Sequence, residues 1–252
     1  MPTTSPSKYA ENQFLSATER GYPLMSEILA DTLPRAAAAI GGHPGFSTVM
    51  ANLTIAANTW NSGETQIANT GAALPGASLA FDDKMASLTR KPDADTPSVI
   101  ENWDTTLRSQ VAFQGSIYLT LLPNGRETLT LGTREEQLDA LRDFGLRLTA
   151  QVAKPVLVTL GTAVATFSTA ARALRTTQTN AKGALETARL AQEPRRIAAA
   201  VALYALIAQG MLNWSTSPAQ VDTLWDVNIL RKAPQRPRPK SKLDRAVEIV
   251  TV

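Results

Sequence analysis

The chain has 252 residues, 44% hydrophobic and 19% charged, which places it in the globular range with material for a sizeable core. It contains no cysteine, which excludes disulfides, thiolate metal sites and a cysteine nucleophile. The net charge of +3 is unevenly spread. Residues 231–245 hold seven cations (Arg231, Lys232, Arg236, Arg238, Lys240, Lys242, Arg245) against one acid, Asp244, a local +6 that leaves −3 on the rest of the chain.

Residues 1–8 (MPTTSPSK) are polar and read as a disordered N-terminus with no apolar run of a secretory signal behind it, so a cytoplasmic protein is expected. Helices are expected at about Tyr9–Arg20 and Leu24–Ile40, the second bent or divided by Pro34. The run from Gly41 to Gly45 is a loop, with Pro44 placed to open the next helix. Phe46, Met50, Leu53, Ala57 and Trp60 form one helical stripe. Asn61-Ser62-Gly63 then reads as a break. A second stripe follows from Ile67 to Leu88, interrupted at Pro75-Gly76. Residues 90–97 (RKPDADTP) are a loop.

Ser98 with Glu101 is a capping-box pattern that opens a helix bearing Val99, Trp103, Leu107 and Val111. The texture then changes. Residues 116–122 and 127–131 are β-prone and flank Pro123-Asn124-Gly125-Arg126, which predicts a small β-hairpin near 116–131. Thr133 with Glu136 opens a further helix carrying Leu138, Leu141, Phe144, Leu148 and Val152. The stretch from Pro155 to Trp214 reads as two long helices folded back on each other. Leu157, Leu160, Val164, Phe167, Ala171 and Leu174 line the first, and the turn falls near Thr179–Gly183 or at Glu193-Pro194. Ile197 to Leu212 carries no charge, so that segment is expected to be buried in a core or a membrane. Ser217, Pro218 and Gln220 signal a last helix with Val221, Leu224, Trp225 and Ile229.

The domain reading is therefore a helical bundle over 9–232, followed by a basic, proline-rich tail over 233–252. That tail ends in a strand-like segment, Ala246 to Val252. The fold class is mainly α: an antiparallel multi-helix bundle of six to eight helices with one β-hairpin. A shift of 111 residues sets Pro44 on Pro155, Asn69 on Asn180 and Ala73-Leu74 on Ala184-Leu185. An internal two-fold duplication and chance recurrence of common residues both account for it.

Candidate chemistry is sparse. His43 is the only histidine and has no companion at ligand spacing, so no metal site is expected. Asp82-Asp83, Asp93/Asp95 and Glu135-Glu136 are close carboxylates, but adjacent helical residues do not share a face and Glu135-Glu136 suits a helix start. No nucleophile elbow or phosphate-cradling loop is present, so no catalytic residue and no cofactor is expected. The tail cations have no interleaved aromatics for stacking bases, which makes nucleic acid a less favoured partner. Trp60, Trp103, Trp214 and Trp225 are expected near helix ends, sealing the bundle.

Three readings of function follow. The first is a non-enzymatic structural or interaction protein that self-associates through helical faces and its C-terminal arm. Arg236, Arg238, Lys240, Lys242, Ile249 and Val250 are the candidate contact residues in that arm. The second is a membrane-active helical protein using the apolar hairpin at 156–212. The third is a ligand-binding bundle with a site near Trp103 and Tyr118, which requires convergent buried polar groups.

Overall fold

The computed structural model describes residue 14, residues 22–41, residue 43, residues 45–226 and residue 229. It is mainly helical. The described elements are α1 (Tyr22–Ala39), α2 (Phe46–Ala86), α3 (Val99–Gln110), α4 (Ser116–Leu121), a 3-10 helix (Arg126–Leu129), α5 (Arg134–Thr149), α6 (Pro155–Asn213) and a second 3-10 helix (Pro218–Thr223). The predicted helix at Tyr9–Arg20, apart from the helical and buried Phe14, the N-terminal 1–8 and the 233–252 tail lie outside the described residues.

The chain divides into two units, one of Met1–Ile67 with Ala188–Val252 and one of Ala68–Thr187. The first has a core of α1, α2 and α6 side chains, among them Ile28, Leu29, Phe46, Leu53, Trp60, Leu203, Leu206 and Ile207, with Trp214, Val221, Leu224 and Trp225 from the segment after α6. Trp60 ties this core together: its Nε1 donates to Ser26 Oγ at 2.9 Å and its carbonyl accepts from Gln192 Nε2 at 3.2 Å. The second unit has its own core. Phe81 and Met85 of α2 meet Trp103 and Leu107 of α3, Tyr118 and Leu121 of α4, Leu138, Leu141, Phe144 and Leu148 of α5, and Leu157, Val164 and Phe167 of α6.

Two expected breaks in α2 are absent, and the helix runs 41 residues through both Asn61-Ser62-Gly63 and Pro75-Gly76. Gly63 serves packing instead of a turn: a Cβ there would lie 1.8 Å from the side-chain oxygen of the buried Gln192. The expected hairpin over 155–214 is also overturned. Those residues form one 59-residue helix with Pro194 inside it. Thr179–Gly183 contains no positive-φ residue to reverse the chain, and a proline at mid-helix removes one hydrogen bond without forcing a turn. Trp60 consequently lies inside α2, far from a helix end.

The predicted β-hairpin at 116–131 is replaced by α4 and the first 3-10 helix, and no strand occurs among the described residues. Tyr118, Leu121 and Leu122 are buried while Ile117 and Leu119 are exposed, which is the spacing of a helix and not of a strand. Only the turn chemistry survives: Gly125 takes φ +70 and caps the 3-10 helix. The predicted last helix after Ser217 is a six-residue 3-10 helix without a side-chain cap.

Both capping boxes form as read. Glu101 accepts from the Ser98 backbone N–H at 2.9 Å, and Glu136 from the Thr133 N–H at 2.7 Å. These backbone donors hold both carboxyls below the usual glutamate range, and the cap hydroxyls add to it. A depressed folded pKa contributes stability above the unfolded value, and that contribution is lost as pH falls through the folded one. Thermal stability should therefore decline as the pH drops below about 4. A Glu101→Gln, Glu136→Gln double variant should show a shallower decline over that range; parallel pH profiles for the two proteins would refute the assignment.

The solvent faces of the long helices are rich in threonine. Thr54, Thr59 and Thr65 of α2 and Thr159, Thr162, Thr166, Thr176 and Thr177 of α6 each donate to the carbonyl four residues back, at 2.8–3.1 Å.

Candidate functional site

Two surfaces stand out, each within one unit. The first is a stripe on α6. Leu190, Pro194, Ile197, Val201, Ala205, Ala208 and Leu212 recur at spacings of three and four and so share one face. None is charged. Leu190 and Leu212 are 77% and 74% exposed, and Ile197 and Val201 are also open to solvent. The opposite face, Ala199, Ala200, Leu203, Leu206 and Ile207, is buried against the first core. The expectation that the whole uncharged segment is hidden is thus half met: one side packs and the other is bare.

The second is a cleft in the Ala68–Thr187 unit, of about 410 Å³ and lined by Arg108, Phe113, Gln114, Tyr118, Leu119, Leu122, Asn124, Gly125, Arg126 and Glu127. Asp104, one turn before Arg108 on α3 and only 6% exposed, does not line the cleft but pairs with the two arginines that do. Asp104 accepts from the Tyr118 hydroxyl at 2.9 Å. Its other oxygen lies 2.8 Å from Arg108 Nη2 and 3.9 Å from Arg126 Nε. Burial raises the Tyr118 pKa and the bond to Asp104 raises it further, so the phenol stays neutral. The same carboxylate holds the Arg108 guanidinium charged through its hydrogen bond. That guanidinium lies 3.9 Å from the centroid of the Phe113 ring. Gln114, the next residue, is the only non-glycine with positive φ among the described residues, at +59.

The third sequence reading required buried convergent polar groups; the two arginines of this cleft are 43% and 48% exposed. Of that reading's two landmarks, Tyr118 is a wall of the cleft. Trp103 is not among the lining residues and packs edge-on against Phe167, with ring centroids 5.7 Å apart. The Asp104/Arg108 pair was legible as an i,i+4 spacing. Arg126 belongs to the expected hairpin turn, and no spacing in the sequence joins it to Asp104.

The other sequence candidates resolve into structural roles. His43 sits edge-on to Trp214, with centroids 5.6 Å apart. Asp93 accepts from the backbone N–H of Asp95 and Thr96, which closes the 90–97 loop. Asp82 pairs with Arg134, Asp83 with Arg90 and Glu135 with Arg175. No group of three or more potential metal-ligating side chains occurs among the described residues. Arg236, Arg238, Lys240, Lys242, Ile249 and Val250 all lie outside the described residues.

Fold and surface together define an all-α helical protein with one bare apolar helix face. No protein-family model matches the sequence, and neither a curated protein nor a solved structure is found similar to it.

Proposed function

We propose that this is a non-enzymatic interaction protein that associates with copies of itself, using the bare stripe of α6 with the C-terminal arm as a second contact. The carrying observation is the exposure of Leu190, Ile197, Val201 and Leu212 on one uncharged face. A contiguous apolar helix face in water is a contact surface in search of a partner, and a second identical face satisfies it with apolar burial on both sides. The 111-residue recurrence belongs to the same reading: it sets the start of α2 against the start of α6, as a duplicated half would.

The native mass tests this. The wild-type protein should run as a multiple of 27.0 kDa by light scattering. Ile197→Glu with Val201→Glu should return it to the monomer mass with helical circular dichroism unchanged, since both side chains already face solvent. Deletion of 234–252 should weaken the assembly further. A wild-type protein at monomer mass across micromolar concentrations would end the proposal.

One observation favours a second reading. α6 is long and apolar enough to cross a bilayer, and only 39% of its most apolar 18-residue window is buried. Dye leakage from liposomes on addition of the protein would favour a membrane-active role; inertness across pH would remove it.

A further inference from the structure

We propose that the cleft lined by Arg108 and Arg126 binds a small organic monocarboxylate with a flat apolar body, an aromatic carboxylate being the fitting class. The inference goes beyond self-association and rests on different residues.

The charge arrangement comes first. Asp104 pairs with both guanidiniums, so these three groups carry +1, and Glu127 on the lining brings the four to neutral. One carboxylate cannot occupy two guanidiniums: each offers five N–H donors, and Asp104 takes Nη2 of one and faces Nε of the other at 3.9 Å. Both arginines line the cleft and are 43% and 48% exposed, so the remaining donors are open to solvent and to a ligand. A planar, bidentate acceptor of charge −1 completes that set. Glu127 repels any anion in the cleft, and a dianion more strongly than a monoanion.

The apolar half of the site is equally specific. Phe113 is 52% exposed although it lies beside a buried tyrosine, with ring centroids 5.2 Å apart. The Arg108 guanidinium covers its ring, and Leu119 and Leu122 also line the cleft. A flat ring reaching Phe113 while its carboxylate meets Arg126 uses both halves. A cleft of about 410 Å³ falls in the range typical of small-molecule sites. The backbone that carries Phe113 is held tightly. Gln114 keeps a left-handed conformation that costs a non-glycine residue energy, and the next residue, Gly115, has space limited by the Ala112 carbonyl 3.0 Å from where a Cβ would sit.

Titration calorimetry on the full chain with phenylacetate tests this. A probe of this size should bind with a dissociation constant on the order of 1 mM. Phenylacetamide, which has the same shape without the charge, should bind about tenfold more weakly, and phenyl phosphate should also bind more weakly than phenylacetate. Arg126→Gln should lower phenylacetate affinity about tenfold without unfolding the protein, because Asp104 keeps Arg108 and Tyr118. Phe113→Ala should lower it as well. The proposal fails if phenylacetate gives no saturable heat, if the amide binds equally, if phenyl phosphate binds more tightly, or if folded Arg126→Gln binds like wild type.

Discussion

Asp104→Ala is expected to destabilise the protein by about 2–3 kcal/mol. The loss has two parts. The Tyr118 hydroxyl, on a residue 3% exposed, is left without its acceptor. Arg108 and Arg126 are left facing each other without a counter-charge. Their partial exposure lets solvent recover some of that cost, which is why the figure sits below that for a fully buried pair. Asp104→Asn keeps an acceptor for Tyr118 and should cost less, about 1 kcal/mol. Urea unfolding of the two variants separates the contributions, and an Asp104→Ala protein as stable as wild type would show the cluster to be ornamental. The raised Tyr118 pKa makes a related statement about alkali. A group whose folded pKa is raised contributes fully below its unfolded value of about 10 and loses that contribution as pH rises through the folded one. Tyr118→Phe should therefore flatten the alkaline fall in stability.

Trp60→Ala should cost more, about 3–5 kcal/mol. The side chain is fully buried among α1, α2 and α6 residues and makes a hydrogen bond to Ser26. Its removal opens a large void and strands the serine hydroxyl. Trp60→Phe keeps most of the volume and should cost about 1–2 kcal/mol. Chemical denaturation gives the totals, and amide hydrogen exchange locates the effect. Protection should fall first in the unit formed by Met1–Ile67 and Ala188–Val252. A cost under about 1 kcal/mol for the alanine variant would mean the core closes over the gap.

Local signals were legible in the sequence and long-range ones were not. The two capping boxes need only residues three apart, so Ser98/Glu101 and Thr133/Glu136 could be read and both form. The apolar stripes of α2 and α6 were also visible, because a helix repeats its core face every three or four residues. The breaks were misplaced. A glycine or proline inside a helix imposes a penalty of about 1 or 3 kcal/mol, and packing at distant residues decides whether it is tolerated. Gly63 is accommodated by Gln192, which lies 129 residues further along the chain. The β-hairpin failed for a similar reason. Asn124-Gly125 does turn the chain, but the flanking residues find their partners in α5 and the second core: Arg147 Nη1 donates to the Leu121 carbonyl at 3.1 Å. The cleft could not be assembled from spacing, since Asp104, Tyr118 and Arg126 meet only through the fold.

The threonine hydroxyls along α2 and α6 have a consequence for handling the molecule. Each already gives its proton to its own helix, and Thr159, Thr162 and Thr166 lie on a stretch of α6, residues 155–171, that carries no charge for dissolved ions to shield. Contacts made across such a stretch should tighten in ammonium sulfate and persist in sodium chloride, the reverse of what charge-driven assembly would do.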